Sequence, residues 1–318
     1  MINEYPIFVI SYNRAKTHKT SRKLADFGVN HYIVVHKEQE AEYRAHFSEN
    51  MKKHTTLLVF DDEYKLKYET CDSIPHRIKN AGSGAERNFA WDYAKNKLKA
   101  KAHWLMDDNM GFYYIAGIST NRKTYIRKPC TKEKFRELFH KAEDFYNKYE
   151  NLLMIELTQN DFSFEVSRLT YSLNTRCFSC NLICCDMPIR WRGRYNEDVI
   201  LSYDVMISGY CIASYKAGVR KAKGSTRKAK GGNHALAKGD TNSIYADGIN
   251  YKFSSLDKTN LLMSVYPQYF EKIVKYGRIH HKYKKHDFNQ VLVKAQTYGE
   301  KKLNMKNFLK VKHYPIPK

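Results

Sequence analysis

The segment from His103 to Asn109 is a short apolar run that ends in two carboxylates and an amide. Buried parallel strands are short apolar runs of this kind, and open α/β folds bind ligands just beyond the carboxyl ends of such strands. Asp107, Asp108 and Asn109 would suit a divalent cation, which takes oxygen ligands and shares them with substrate phosphates. Asp-Asn pairs also form good turns, so a polar turn that closes a hairpin is the alternative interpretation.

Strand-like runs alternate with helix-like segments along the first half of the chain. Residues 5–10, 32–35 and 55–60 are apolar runs that stop at polar residues. A helix-like segment covers residues 16–27, and residues 131–150 carry aromatic side chains at helical spacing. Alternation at this spacing predicts βαβ units, which build a parallel sheet. We therefore expect an α/β fold with a mostly parallel central sheet flanked by helices.

The chain has 318 residues, enough for one large α/β domain with an appendage. No linker is evident, so we assign residues 1–255 to the α/β domain. Helical spacing over residues 256–276, interrupted at Pro267, predicts a helical and basic appendage over residues 256–318. The sequence shows neither a bilayer-spanning apolar run nor the pattern of a signal peptide, which predicts a cytoplasmic protein.

Four of the seven cysteines crowd between residues 177 and 185. A zinc site would need a second pair of Cys or His ligands at a fixed spacing, and that pair is missing from the sequence. The segment is also rich in Phe, Leu and Ile, and a free cysteine behaves as a small buried hydrophobe. We expect these cysteines to lie in the core.

Basic residues outnumber acidic ones by 55 to 33, which gives a formal net charge of +22. An excess this large indicates a polyanionic partner, and no basic amphipathic helix or lipidation signal favours a membrane. A solvated, lysine-rich surface is the alternative. Clustering of the charge favours nucleic acid.

The basic charge is concentrated in two stretches. Residues 216–238 contain eight basic residues, no acid and several glycines, which predicts a flexible basic loop. Residues 276–286 mix basic and aromatic side chains, which can neutralise phosphates and stack on bases. The predicted contacts of the loop with nucleic acid come from Arg220, Lys221, Lys223, Arg227, Lys228 and Lys230.

Polar clusters at strand ends and helix starts suit a nucleotide diphosphate. Residues 11–14 follow the first strand, and residues 84–88 open a helix. Arginine pairs with phosphate through two parallel hydrogen bonds, and a cation would offset the charge that builds on a departing diphosphate. The predicted nucleotide-binding residues are Ser11, Tyr12, Asn13, Arg14, Arg87, Asn88 and Asp107.

Glu197 and Asp198 form a second acidic centre at the start of a predicted helix. Acids at a helix N-terminus are stabilised by the helix dipole, so a capping role explains one of them. Alternatively, one of the two is a general base that removes the proton from an acceptor hydroxyl.

These motifs, in this order along the chain, resemble those of GT-A glycosyltransferases. More narrowly, the combination is similar to the TET/JBP-associated glycosyltransferases, a family that includes phage enzymes for hydroxymethylated pyrimidines in DNA and the base J glucosyltransferase. The resemblance spans roughly residues 5–285, and residues 276–281 resemble a C-terminal element of that family.

The resemblance implies a metal-dependent reaction with Mn²⁺ or Mg²⁺ and a UDP-sugar as the donor. Asp107, Asp108 and Asn109 would hold the cation, although an amide at the third position is a weaker ligand than a carboxylate. Asp198 would be the base of an inverting reaction, with Glu197 as the competing candidate. GT-A enzymes often add a C-terminal histidine to the metal site, and His234, His280 and His281 are candidates, with His281 our choice.

The acceptor implied by the resemblance is the hydroxyl of 5-hydroxymethylcytosine, or a related pyrimidine, in double-stranded DNA. A viral enzyme of this kind would work in the cytoplasm of the host cell. Two alternatives remain open: a GT-A glycosyltransferase with a protein or glycan acceptor, and a non-catalytic nucleic-acid-binding protein. The identity of the sugar, the stereochemical outcome and the oligomeric state are not defined by the sequence.

Overall fold

A computed structural model describes residues 4–73, 82–119, 124–159, 171–222, 255–275, 278–284 and 288–313. Ten strands form the central sheet: β1 (Ile7–Ile10), β2 (His31–His36), β3 (Thr55–Phe60), β4 (Ala102–Asp107), β5 (Met110–Ser119), β6 (Thr124–Pro129), β7 (Leu152–Gln159), β8 (Tyr171–Leu173), β9 (Cys180–Cys184) and β10 (Cys211–Ala222). The strands β11 (Phe270–Lys275) and β12 (Arg278–Tyr283) form a separate two-stranded sheet.

The α-helices lie between the strands and after the sheet. They are α1 (Lys19–Asp26), α2 (Glu40–Ala45), α3 (Glu49–His54), α4 (Glu63–Leu66), α5 (Gly84–Asp92), α6 (Lys132–Asn147), α7 (Glu197–Ile207) and α8 (Ser255–Val265). A π-helical turn, Tyr93–Lys97, extends α5, and short 3₁₀ turns cover Lys37–Gln39 and Met305–Lys310.

The strand order of the sheet is β3-β2-β1-β4-β9-β7-β10-β5-β6, and β8 pairs with β10 beside this path. The first four strands in this order are all parallel, and β7 is parallel to β10. Among the described strands of the sheet, only β5, β8 and β9 run in the opposite direction. This confirms the predicted α/β fold with a mostly parallel sheet flanked by helices.

Side chains of β4 alternate between the two helical layers, because successive residues of a strand point to opposite faces. The Trp104 indole donates a hydrogen bond to Glu143 of α6 and packs on the Phe139 ring. On the other face, the His103 ring packs on Trp91 of α5. Asp107 is on the same face as His103, and it therefore faces the layer that contains α5.

All seven cysteines are free and buried, which confirms that the cluster between residues 177 and 185 belongs to the core. Within the described part of the chain, no group of three or more His, Cys, Asp or Glu side chains is suited to hold a metal ion. No helix in the described ranges is both long and apolar enough to span a bilayer.

The first seven residues of the predicted basic loop, 216–222, lie in a strand. They belong to β10, where Arg220 pairs with Phe112 and Lys221 with Gly111 of β5. The glycines of this stretch favour a loop in the sequence. In the structure, however, Gly218 lies inside β10 and pairs with Tyr114 of β5, so its backbone polar groups can bond to the neighbouring strand. The remaining predicted contacts lie outside the described residues: Lys223, Arg227, Lys228 and Lys230.

The predicted helical appendage is only partly helical. Helix α8 confirms the first half of the helical pair predicted over residues 256–276, but the second half contains β11, which pairs with β12 in a hairpin. The residues of that half are rich in β-branched and aromatic types, which favour strands over helices. Farther on, residues 288–313 return to the main domain, where Lys301 donates to the carbonyls of Tyr146 and Tyr149. The division of the chain at residue 255 stays a prediction.

Candidate active site at the ends of β1 and β4

The site lies where two adjacent parallel strands end. Ile10 of β1 is in register with Asp107 of β4, so the residues that follow both strands emerge side by side. The Ser11 hydroxyl donates to a carboxylate oxygen of Asp108 at 2.7 Å. The predicted polar clusters at residues 11–14 and 107–109 therefore meet at the edge of the sheet where α/β folds bind ligands.

Thr20, at the start of α1, holds the turn after β4. Its hydroxyl donates to the carbonyl of Asp107 at 2.6 Å and accepts the amide N–H of Met110 at 2.8 Å. Its own amide donates to the carbonyl of Asp108 at 3.0 Å. The turn joins β4 to β5, which are not neighbours in the sheet, so the alternative of a turn that closes a hairpin is wrong.

Asp108 is surrounded by the segment after β1. Arg14 Nη1 lies 3.3 Å from its carboxylate, and the Tyr43 hydroxyl bridges this segment by contacts with the Ser11 hydroxyl and the Arg14 amide. Burial raises the pKa of Asp108 to about 6, Arg14 and Ser11 oppose the shift, and Asp107 adds to it. Both oxygens of Asp108 are thus already bound by protein groups.

Tyr12 and Asn13 complete this segment. The Tyr12 ring lies 4.8 Å from the His36 ring, and the backbone N–H of Asn13 donates to Gln39 Oε1 at 3.0 Å. Asn13 has a φ of 54°, in the left-handed region that asparagine tolerates better than most residues. His36 in turn contacts the buried Glu86 at 2.8 Å. The predicted nucleotide-binding segment is therefore a fixed turn.

Arg87 of α5 joins the two acidic centres. Its Nη2 donates to Asp107 at 2.7 Å, its Nε lies 3.6 Å from Glu197, and its guanidinium carbon lies 4.9 Å from the centre of the Trp191 ring. Burial alone would lower the pKa of Arg87, but Asp107 and Glu197 outweigh it and raise the pKa. Arg87 Nε and Nη1 are buried and have no hydrogen-bond partner among the described residues.

Asn88 lies beside Arg87, and its side-chain amide binds both the carbonyl and the N–H of Trp191. Asn88 Nδ2 donates to the Trp191 carbonyl at 2.9 Å, and its Oδ1 accepts the Trp191 N–H at 3.0 Å. This pair fixes the indole on which the guanidinium of Arg87 stacks. A direct role of Asn88 in nucleotide binding stays a prediction.

Glu197 and Asp198 open α7 after Asn196, whose φ is 52°. Glu197 accepts a hydrogen bond from Ser83 at 2.7 Å, and Asp198 accepts the N–H of Val199 at 2.7 Å. Burial raises the pKa of Asp198 to about 7, the Glu197 carboxylate adds to the shift, and Arg87 opposes it. A carboxyl group with this pKa can accept a proton near neutral pH, as a general base must.

Asp107 is the carboxylate best placed to meet a cation. Its side chain is 30% exposed, against 9% for Asp108 and 16% for Glu197. Asn109 Oδ1 is buried without a hydrogen-bond partner among the described residues. One or two protein oxygens suffice for Mg²⁺, which is bound with substrate phosphates and water more often than in a cage of side chains. Asp107 and Asn109 therefore fit such a cation.

His281 lies on β12, in the second sheet, whereas Asp107, Asp108 and Asn109 lie at the end of β4 and in the turn after it. Its Nε2 is 3.2 Å from the Tyr283 hydroxyl, and its ring packs on Phe270. Burial lowers the pKa of His281 to about 4, and the nearby Arg176 contributes to the shift. Within the described ranges, no hydrogen bond or ion pair joins His281 to the turn after β4, so its metal-binding role stays a prediction.

A buried polar row crosses the sheet behind Asp107, and no motif in the sequence indicated it. Asn181 of β9 is in register with Leu105 of β4 and with Glu156 of β7, so it shares a face with Asp107. The Ser214 hydroxyl donates to Glu156 at 3.2 Å. Both polar atoms of the Asn181 amide are buried, and neither has a partner in the described structure.

The fold and this edge together define a class, the α/β transferases of the GT-A type. The model of the family of TET-associated glycosyltransferases matches residues 5–232, and this chain belongs to that family. The match includes the turn after β4, Arg87 and the start of α7, whereas the β11–β12 hairpin lies beyond it. The chain is therefore a glycosyltransferase, which requires an activated sugar donor. A search of curated proteins gives no match.

Proposed function

We propose that this protein transfers a sugar from a UDP-sugar to the hydroxyl of 5-hydroxymethylcytosine, or a related hydroxymethylpyrimidine, in double-stranded DNA. The observation that supports this most strongly is the Arg87 guanidinium, which links Asp107 to Glu197. The donor diphosphate would lie over Asp107 and Arg87, with the segment from Ser11 to Arg14 beside it.

In the inverting reaction, Asp198 takes the proton of the acceptor hydroxyl. The acceptor oxygen then forms a bond to C1 of the sugar while the bond from C1 to the diphosphate oxygen breaks, and UDP leaves with the bonding electrons. Asp198 suits this role because its pKa is raised to about 7. Arg87 would contact the phosphate oxygens through its Nε and Nη1, which donate no hydrogen bond to any described residue.

Mn²⁺ or Mg²⁺, held by Asp107 and Asn109, would offset the negative charge of the departing diphosphate. Asp108 would support that turn through its contacts with Ser11 and Arg14.

The net charge of +22 supports a DNA acceptor. Inside a duplex the 5-hydroxymethyl group cannot reach C1 of a bound sugar, so the target nucleotide would be flipped out of the stack. An enzyme with this acceptor would work in the cytoplasm of its own cell or of an infected host.

The test is to incubate the protein with Mn²⁺, UDP-glucose and duplex DNA that contains 5-hydroxymethylcytosine. UDP release that requires this DNA, together with a matching mass increase of the modified nucleoside, is the expected result. Release that requires a protein or glycan acceptor instead would overturn the proposed acceptor. DNA binding without turnover for any donor would overturn the assignment of the reaction.

The donor sugar is identified by repeating the reaction with UDP-N-acetylglucosamine and a UDP-arabinose, which separates hexosyl from pentosyl transfer. A variant with Asp107→Ala and Asp198→Ala is the matched control. It should retain DNA affinity and lose transfer, and an active double variant would refute the assignment of the site.

A further inference from the structure

The β11–β12 hairpin is a basic ribbon separate from the main sheet. Its strands pair antiparallel from Phe270↔Tyr283 to Lys275↔Arg278. Basic residues outnumber acidic ones in the two strands, in which Glu271 is the single acid and pairs with Lys282 at 2.7 Å. Lys272 and Lys282 are exposed, so the ribbon presents cations to solvent.

The base of the ribbon is fixed to the helix that carries the candidate catalytic base. The Phe270 ring packs 4.9 Å from the Tyr203 ring of α7, and the Arg176 guanidinium carbon lies 3.6 Å from the centre of the Tyr283 ring. Helix α8 is also fixed there, because Asn196 donates to the carbonyl of Lys258 at 3.0 Å. The ribbon is therefore anchored on α7, and the neighbouring helix α8 is anchored at the start of α7.

Charged groups of the anchor and of the candidate site both act on the Tyr283 hydroxyl. Burial raises the pKa of the Tyr283 hydroxyl, the guanidinium of Arg176 opposes the shift, and the carboxylate of Asp198 adds to it. Residues at the anchored end of the ribbon thus experience the charge of Asp198.

We propose that the β11–β12 ribbon grips the acceptor DNA and presents the target nucleotide to Asp198. Two-stranded ribbons fit a DNA groove, and exposed lysines neutralise phosphates whatever the base sequence. The anchored end, with Arg176 stacked on Tyr283 and Phe270 packed on Tyr203, lies against the helix that carries Asp198 and would hold a flipped nucleotide beside it. This inference rests on the proposed DNA acceptor, and it concerns residues beyond the segment that matches the family model.

The test compares two double variants that each remove two positive charges. Lys272→Gln with Lys282→Gln changes the ribbon, where Lys282 pairs with Glu271 at 2.7 Å. Lys52→Gln with Lys53→Gln changes α3, where Lys52 pairs with Glu49 at the same distance and both lysines are exposed. The affinity of each variant for the hydroxymethylated duplex is measured over a series of salt concentrations.

The slope of log K against log salt is negative, and each lost phosphate contact reduces its magnitude by about 0.9. The ribbon variant should therefore lose about 2 from this slope and bind about tenfold or more weakly at low salt, whereas the α3 variant should match the wild type. Lys272→Arg with Lys282→Arg should restore the slope. UDP affinity should be the same for the wild type and all three double variants, and this measurement checks that the fold is intact.

The outcomes separate this inference from the proposed function. If the wild type glycosylates DNA but the ribbon and α3 variants have the same salt slope, the ribbon inference is wrong and the proposed function stands. If the wild type binds the duplex through the ribbon but transfers no sugar to it, the proposed function fails alone. Ribbon-dependent binding to anionic phospholipid vesicles with unchanged DNA affinity would assign the ribbon to a membrane surface and overturn the inference.

Discussion

Arg87 donates to Asp107 at 2.7 Å and thereby connects the end of β4 to α5, while its Nε faces Glu197 at the start of α7. A single guanidinium thus sets the relative positions of two acidic centres that are 90 residues apart in the chain. Since its pKa is raised, Arg87 remains charged throughout the accessible pH range.

Replacement of Arg87 by Ala should impair both stability and activity. The substitution leaves Asp107 and Glu197 without their shared cation, which for a largely buried pair costs about 3 kcal/mol. Transfer should fall by about 100-fold or more, because a group that stabilises the diphosphate is lost. Urea denaturation and initial rates of UDP release measure the two effects.

Arg87→Lys is the matched control for that substitution. Lysine keeps the charge but lacks the planar fork that reaches two carboxylates, so its stability and rate should lie between those of the wild type and Arg87→Ala. Wild-type rates in Arg87→Ala would show that this contact serves only the fold.

The pH dependence of transfer should report the titration of Asp198. A general base acts in its deprotonated form, so kcat/KM should rise about tenfold per pH unit below its pKa and level off above it. Because the pKa of Asp198 is raised to about 7, the bend should fall near neutral pH. The measurement is kcat/KM for the DNA acceptor at constant ionic strength.

Glu197→Gln distinguishes the two candidate bases. The Glu197 carboxylate raises the pKa of Asp198, so its neutralisation should move the bend of the pH profile to lower pH and keep most of the rate. Asp198→Asn should abolish transfer. The reverse pattern, an inactive Glu197→Gln and an active Asp198→Asn, would make Glu197 the base.

The parallel half of the sheet, and the meeting of the segments after β1 and β4, could be predicted from the sequence, because buried strands are short apolar runs and their carboxyl ends meet at one edge. Asp107 ends one such run and Ser11 follows another, which predicts that both lie at that edge. The contact of Arg87 with Asp107 was not predicted, because the position of α5 over β4 depends on tertiary packing.

Thr20 and Asn181 show a second limit of the sequence. Neither belongs to a motif. Thr20 binds the carbonyl of Asp107, 87 residues along the chain, and Asn181 reaches the face of Asp107 only through the register of β9 with its neighbours. The β11–β12 hairpin shows a third limit. Apolar residues around Pro267 are compatible with either a helix or a strand in a short segment, and helical spacing alone did not separate them.

Asp107 and Asp108 should differ in their effect on metal dependence. Asp107→Asn should raise the Mn²⁺ concentration needed for half-maximal rate by about tenfold or more, because the Asp107 carboxylate is more exposed than that of Asp108. Asp108→Asn should leave that concentration nearly unchanged and lower thermal stability, since Asp108 binds Ser11 and Arg14. A chelator should abolish transfer by the wild type, and added Mn²⁺ should restore it. Equal shifts in both variants would show that Asp108 also holds the cation.

Asn88→Ala should weaken the fold more than donor binding. Loss of the amide leaves the N–H and C=O of Trp191 without their partner, which costs about 1–3 kcal/mol for buried groups. UDP affinity, measured by calorimetry, should stay within about twofold of the wild type. The control is Asn50→Ala, because Asn50 is exposed and its amide donates a long hydrogen bond of 3.4 Å to Asp26. A large loss of UDP affinity at unchanged stability would instead support the direct nucleotide contact predicted from the sequence.

Asn181→Leu should lower transfer without lowering stability. The Asn181 amide is buried with no partner in the described structure, so an apolar side chain of similar size removes an unsatisfied group and should leave the unfolding free energy equal or higher. Transfer should fall because this amide shares the face of the sheet with Asp107 and Glu156. Asn147→Leu is the matched control: Asn147 is equally buried but accepts from Tyr5 and donates to Glu4, so its loss should destabilise the fold by about 1–3 kcal/mol. A destabilised Asn181→Leu variant with a normal KM for DNA would show that the amide serves the fold and not the reaction.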